Sequence, residues 1–235
     1  MARKSLVSVV ADALLDQIVS GEIAVDAALP TEAEIGQTYD VSRMTVREAL
    51  KTLQAQNVVR VVAGRGTYVT PISHWTDLAP VLRMASHGVA QGEASLQLVE
   101  VRRMIETGAA ALAATRRSDA DLALLEMHLN EMRRGNVDGD LDLFVAADIA
   151  FHDVILRATG NVFVGVLFDP LARVMREKRQ QTSAVPEIQL HAIVEHESIL
   201  AAIRSGDAEQ SRLAMDSHMT QTADDLRHFV LNHVR

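Results

Sequence analysis

Apolar residues recur at helical spacing along most of this chain of 235 residues. In residues 5–20, SLVSVVADALLDQIVS, they predict one buried helix face, and Gly21 supplies a stop. Leu29-Pro30-Thr31 opens a second helix, with Thr31 as N-cap and Glu34 in the capping-box position. Tyr39-Asp40-Val41 marks a turn, and Ser42 caps a third helix that reaches Gln56. The period then changes. Val58–Val62 and Thr67–Val69 are β-branched runs around Ala63-Gly64-Arg65-Gly66, which predicts a hairpin with glycines at its tip, closed by Pro71.

Residues 72–91 predict a connector with a short helix over Asp77–Ser86 that ends at Gly88. From Glu93 onward the periodicity is helical throughout, over 93–116, 118–134, 138–159, 161–182, 186–205 and 207–233. The breaks fall at Ser118-Asp119, Gly135-Asn136, Gly160-Asn161, Pro186 and Gly206-Asp207. Pro170 inside the fourth of these helices is expected to kink or split it. The expected class is therefore mainly α, in three parts. These are a winged helix-turn-helix over 1–71, a linker over 72–91 and an all-helical bundle over 92–235.

Composition agrees with packed helices, since hydrophobic residues make up 48% and aromatics only 3%. The absence of cysteine rules out disulfides and thiolate metal sites. Arg3 and Lys4 are followed by an apolar stretch that Asp12, Asp16 and Gln17 interrupt, so no signal peptide or membrane span is expected, and the cytoplasm is the expected compartment. The net charge of −8 looks wrong for a nucleic-acid binder. Residues 1–70, however, hold seven basic and eight acidic side chains, against sixteen and twenty-three in 71–235. The acidity belongs mainly to the second part, and in the first the cations are clustered.

That cluster carries the first candidate chemistry. Arg43, Arg47 and Lys51 fall at i, i+4 and i+8 on the third helix, while Val46, Leu50 and Leu53 form another face. Arg43 and Arg47 stand where such a helix reaches base edges and can grip guanine. Ser42 and Thr45 suit phosphate or a thymine methyl, and Lys51 suits phosphate. Arg65 at the hairpin tip suits the minor groove, with Gly64 and Gly66 permitting close backbone approach. Taken singly, each is equally a solvated surface charge; as a set on this frame they predict binding to double-stranded DNA.

The second half offers a different constellation. Asp148 and His152, at i and i+4, share a face with Phe144, Ala147, Phe151 and Ile155. His196 and His218 lie on later helices among apolar residues. A carboxylate on a buried face needs a partner, and one divalent ion held by these four groups would satisfy all of them. Ordinary packing of isolated histidines is the competing reading, and it is the one given to His74, His87, His128, His191, His228 and His233. Arg102 either meets a carboxylate ligand or forms an i, i+4 surface salt bridge with Glu106. Asn161 is a helix cap first and a ligand contact second.

In its first part the chain resembles the GntR family of bacterial transcription regulators. The likeness rests on Leu29-Pro30-Thr31-Glu32, on Val41-Ser42-Arg43-Met44-Thr45-Val46-Arg47-Glu48-Ala49-Leu50, and on Gly64-Arg65-Gly66-Thr67-Tyr68-Val69. Ala33 stands where many members carry an Arg, which implies a different operator preference. Residues 93–230 are similar to the FCD effector domain of the FadR subfamily, on Glu100-Val101-Arg102 through Glu106, Asp148-x3-His152, Gly160-Asn161, Glu195-His196, Ala202-Ile203-x3-Asp207 and Ser217-His218. This resemblance implies a metal held by Asp148, His152, His196 and His218, and a carboxylate effector met by Arg102. Zinc suits imidazole and carboxylate ligands, and nickel or manganese are compatible by ligand type. Ser73-His74-Trp75-Thr76-Asp77-Leu78 and Asp148-Ile149-Ala150-Phe151-His152 look most similar to regulators of sugar-acid catabolism.

The expectation is thus a homodimeric repressor of a catabolic operon, binding a palindromic operator and released by a small carboxylate beside a metal. Two alternatives come with it: a metal-dependent enzyme acting on small hydroxy acids, and a regulator whose signal is the metal itself.

Overall fold

A computed structural model describes residues 5–85 and 91–231. The expected stop at Gly88, together with Arg3, Lys4, His87 and His233, lies outside the described residues. The chain divides into two compact units between Gln91 and Gly92.

The first unit contains α1 (Leu6–Val19), α2 (Glu32–Thr38), α3 (Arg43–Ala55), β1 (Val59–Val62), β2 (Gly66–Val69) and α4 (Leu78–Ala85). Caps set the helix starts. Ser5 accepts the Ser8 N–H and Ser42 the Thr45 N–H, and Thr31 with Glu34 forms the expected capping box. The turn between α2 and α3 passes through Asp40 at φ 50°, and the Val41 N–H closes it on the Gly36 carbonyl at 3.0 Å. The hairpin is antiparallel, with Val59 opposite Val69 and Val62 opposite Gly66. Gly64, at φ 73°, sits in the left-handed region at its tip.

Val10, Leu14, Leu15 and Ile18 of α1 meet Val46, Ala49 and Leu53 of α3 in one core, sealed by Ile35, Val58, Val69 and Trp75. Full burial of such side chains contributes roughly 1.5–3 kcal/mol each. Two features were not legible as pattern. Residues 26–29 lie along β2, with the Leu29 N–H donating to the Thr67 carbonyl at 2.8 Å and the Val69 N–H to Ala27 at 3.0 Å. Residues 70–85 are strapped to this unit. Trp75 Nε1 donates to the Thr70 carbonyl at 3.1 Å, and Arg83 reaches Asp16 at 2.6 and 2.7 Å and Asp12 at 3.1 Å.

The second unit is helical: α5 (Gln91–Arg116), α6 (Asp119–Asp138), α7 (Leu141–Ala158), α8 (Val162–Thr182), α9 (Pro186–Ser205) and α10 (Ala208–Asp225), which continues as a wider π-helical turn over Leu226–Leu231. Ser118, Asn161 and Asp207 cap helix starts, and Gly206 at φ 79° ends α9. α6 packs on α7 and α9, α7 on α8, and α9 on α10. α5 is tied in by Arg103 donating to Thr220 at 2.6 Å and by Arg117 donating to the Ile203 carbonyl at 3.1 Å.

Two local expectations are corrected. Gly135-Asn136 does not break α6, which runs on to Asp138 and ends at Gly139 in the left-handed conformation, φ 68°. Gly135 is instead where the turn crosses: a Cβ there would lie 2.8 Å from the Phe144 backbone nitrogen and 2.9 Å from the Asp140 carbonyl oxygen. Nor does Pro170 split α8, which is continuous from Val162 to Thr182. Packing of the helix on both sides of the proline outweighs one missing N–H.

Candidate DNA-reading face and candidate metal centre

On α3, Val46, Ala49, Leu50 and Leu53 are buried while Arg43, Arg47 and Lys51 are exposed on the opposite side. Arg43 has no hydrogen bond or ion pair among the described residues. Arg47 Nε donates to Glu32 at 2.8 Å, and Lys51 Nζ to Glu48 at 2.9 Å. Ser42 Oγ takes the Thr45 N–H at 3.2 Å and lies 2.9 Å from Thr45 Oγ1, so both hydroxyls are held at the start of the helix. Gly64, Arg65 and Gly66 are exposed at the hairpin tip. The remaining cation of the hairpin, Arg60, lies over the Tyr68 ring at 5.8 Å and 3.5 Å from Asp26.

In the second unit, packing brings the sequence-predicted ligands together. Asp148 and His152 on α7, His196 on α9 and His218 on α10 are all buried. The ring centroids of the three histidines lie 4.7 to 5.2 Å apart, and their candidate ligand nitrogens lie within 4.8 Å of one another. Asp148 Oδ1 is 3.0 Å from His196 Nε2 and 3.8 Å from His152 Nε2.

Hydrogen bonding sets the His196 tautomer. His196 Nδ1 lies 2.6 Å from the Ala192 carbonyl, which can only accept, so Nδ1 carries the proton and Nε2 is a bare lone pair. His152 Nδ1 lies 2.5 Å from Glu106 Oε2. Nε2 of His152, His196 and His218 has no hydrogen-bond partner. The bare His196 Nε2 therefore faces a carboxylate oxygen, two acceptors in contact, an arrangement that a cation between them resolves. Burial is the main cause that pushes the His196 and His218 pKa values well below 6.5; nearby imidazoles and guanidinium groups act in the same direction. Neutral imidazole is the form that binds metal. These residues thus form a cluster able to hold a metal ion.

Three further charged side chains complete the cluster. Arg102, expected either on a ligand or in a surface pair, is buried: its Nε donates to Glu106 at 2.7 Å and its Nη2 is unpartnered. Glu106 therefore joins Arg102 to His152 across α5 and α7. Burial alone would raise its pKa, but Arg102 and His152 outweigh it and hold the group below the carboxylate range. Arg179 of α8 pairs with Asp148, leaving its Nε and Nη2 unpartnered.

Sequence reasoning missed Arg179 because it lies in the basic run Arg176-Glu177-Lys178-Arg179, which looks solvated. The signal was periodicity, since Phe168, Leu171, Met175 and Arg179 form one buried stripe. Asn161 stays outside the cluster. It is exposed at the N-cap of α8, where its Oδ1 takes the Phe163 N–H at 3.1 Å.

A two-stranded wing after a helix-turn-helix, joined to a helical domain with a buried imidazole cluster, is the build of a DNA-binding transcriptional regulator. Residues 6–69 match the bacterial regulatory proteins of the gntR family, and residues 97–221 match the FCD domain. The chain belongs to the GntR family, in its FadR-type branch, and is a transcription regulator and not an enzyme. It is 31% identical to the HTH-type transcriptional regulator LutR of Bacillus subtilis, over 89% of this chain and 95% of that one. Against the galactonate operon transcriptional repressor of Escherichia coli, identity is 30% over 89% of this chain and 93% of that one. Among solved structures, a Streptococcus agalactiae GntR protein has a TM-score of 0.51 at 28% identity, covering 93% of this chain and 99% of that one. A structure titled for Lar, which controls the Listeria monocytogenes agr system, has a TM-score of 0.66 at 21% identity, covering 97% of this chain and all of that one. The last shows the shared fold. No described helix is long and apolar enough to cross a membrane.

Proposed function

We propose that this protein is a homodimeric, cytoplasmic repressor of a catabolic operon, released from a palindromic operator when a small carboxylate binds beside a divalent metal in the helical domain. The observation that carries the reading is the cluster of three unpartnered imidazole Nε2 atoms beside Asp148 and the unpartnered Arg102 Nη2. His152, His196, His218 and Asp148 hold the ion, most simply zinc. When bound, the metal supplies a Lewis-acidic anchor for ligand oxygens. Arg102 orients the carboxylate of a hydroxy acid such as an aldonate, and Glu106 orients both Arg102 and His152. The curated relatives include regulators named for galactonate and for an L-lactate dehydrogenase operon, which supports a hydroxy-acid effector.

On the DNA side, Arg43 and Arg47 read base edges, Ser42, Thr45 and Lys51 meet the backbone, and Arg65 enters the minor groove between Gly64 and Gly66. Residues 72–91 couple the two domains. The effector shifts operator affinity only by its differential affinity for two arrangements of the dimer.

The test combines melting temperature and operator binding, for zinc-loaded and chelated protein, against hydroxy acids, sugar acids, dicarboxylates and fatty acyl compounds. A shift with one carboxylate class, lost on chelation and paired with operator release, is the expected result. Chelation that alone releases operator, with no response to any carboxylate, would replace this reading with direct metal sensing.

A further inference from the structure

The outward side of α3 carries one residue that phosphate binding does not explain. Met44 is 66% exposed, the most open large apolar side chain of the first unit among the described residues. An α-helix turns about 100° per residue, so Met44 stands roughly opposite the buried Val46 and Leu53. Lys51, seven residues on, lies nearly in line with Met44, while Arg43 and Arg47 lie to one side of that line and Glu48 to the other. Met44 is therefore central on the outward face, in the first turn of the helix, the part that reaches base edges in a helix-turn-helix. Thr45, the other residue of this turn with a methyl group at its tip, is half-buried, and its hydroxyl lies 2.9 Å from Ser42 Oγ. A thioether has no proton to donate and accepts only weakly, so Met44 gains nothing from a phosphate. In the major groove the apolar feature of an unmodified base pair is the thymine C5-methyl. The Met side chain is long, unbranched and polarizable, which lets it settle on such a group.

We infer that Met44 is a specificity-determining residue that packs on a thymine methyl close to the guanine contacts of Arg43 and Arg47. This rests on the DNA-reading role of α3 proposed above and adds a base to it. It also moves the thymine contact from Thr45, whose hydroxyl is committed to the start of the helix, to the neighbouring side chain that leads on the outward face.

The test uses the full-length protein and the duplex that it enriches from random-sequence DNA. Each thymine of that duplex is replaced in turn by uracil, which removes the methyl group and keeps every hydrogen-bonding atom. Binding is titrated for the parent protein, Met44→Ala and Thr45→Ser. At one thymine position, uracil is expected to weaken the parent about fourfold, the cost of losing one buried methyl-sized contact. The same replacement should leave Met44→Ala unchanged. Thr45→Ser loses its own methyl but keeps the hydroxyl at the helix start, and it should respond as the parent does. Met44→Ala changes an exposed side chain to a good helix former, so the fold is retained. No uracil effect in the parent, or effects that all persist in Met44→Ala, would overturn the assignment and leave Arg43 and Arg47 as readers. An effect lost in Thr45→Ser and kept in Met44→Ala would overturn it in favour of Thr45. Enrichment of no sequence by the parent would overturn the DNA-reading role of α3 as well.

Discussion

Glu32, the first residue of α2, accepts the Nε hydrogen of Arg47 on α3 at 2.8 Å, leaving both terminal nitrogens of that guanidinium unpartnered among the described residues. The pair is exposed, so it adds little to stability. Its effect is on direction: a guanidinium held at Nε presents its end-on fork for bidentate contact to guanine O6 and N7. Glu32→Ala is therefore expected to weaken operator binding about tenfold and to flatten discrimination at one guanine, a loss within the roughly 1–3 kcal/mol of such a contact. Glu32→Gln keeps an acceptor and should recover most of it. A purely electrostatic role predicts the opposite sign, since removing an acid near DNA tightens binding to every sequence. Titrations of operator and of a guanine-substituted operator at two salt concentrations separate the two.

Arg102 and Glu106 form a pair with side chains 6% and 1% exposed. Arg102→Ala strands a carboxylate in the core and should cost about 3–5 kcal/mol. The double variant Arg102→Gln with Glu106→Gln has no stranded charge and should regain most of that stability, yet it should stay on operator at effector concentrations that release the parent protein. Urea unfolding and a gel-shift titration read the two effects separately. Effector release at the parent's concentration in the double variant would remove Arg102 from the effector site.

Acid should destabilise the metal-free protein in two windows. His196 and His218 have native pKa values below the 6.5 of an unfolded histidine. Below about pH 6.5 the unfolded chain binds more protons than the native one, so stability is full above that pH and falls as pH drops toward the native values. The slope is up to about 1.4 kcal/mol per pH unit for each group. Glu106, lowered from an ordinary 4.5, adds a second loss that starts near that pH. Melting temperatures in chelator from pH 8 to pH 4 should show the first fall, reduced in His218→Gln. A flat profile between pH 7.5 and 5.5 would contradict burial of neutral imidazoles.

Gly135→Ala should destabilise the helical domain by about 1–3 kcal/mol, because the added methyl meets the backbone of Asp140 and Phe144 rather than a movable side chain. Gly165→Ala, on a helix position where a Cβ meets nothing within 4 Å, serves as the control and should be neutral or slightly stabilising. Differential scanning calorimetry of both variants checks this.

Much of the architecture is local and was legible residue by residue. Thr31 with Glu34, Ser42, Ser118 and Asp207 mark helix starts because a cap needs only a side-chain oxygen within three residues of a free N–H. Gly64 marks the hairpin tip because the turn there takes a left-handed residue. Val46, Leu50 and Leu53 against Arg43, Arg47 and Lys51 show which side of α3 is buried, since a helix face repeats along one segment. The i, i+4 spacing of Asp148 and His152 placed them on one face for the same reason. Gly135 misled because a glycine that stops a helix and one that admits a crossing backbone look alike in sequence.

What the sequence by itself determined is therefore what neighbours in the chain can settle: helix and hairpin positions, caps, buried faces, and, through family motifs, the candidate DNA-reading and ligand residues. The tertiary structure alone decided what meets across helices. Glu106 becomes the link between Arg102 and His152, Arg179 turns inward to Asp148 from a basic run, and residues 70–85 fasten to the first unit through Trp75 and Arg83. The physical reason is range. A periodicity fixes the direction of a side chain relative to its own helix axis, while its partner is fixed by how separate helices cross, and that depends on the packing of the whole core.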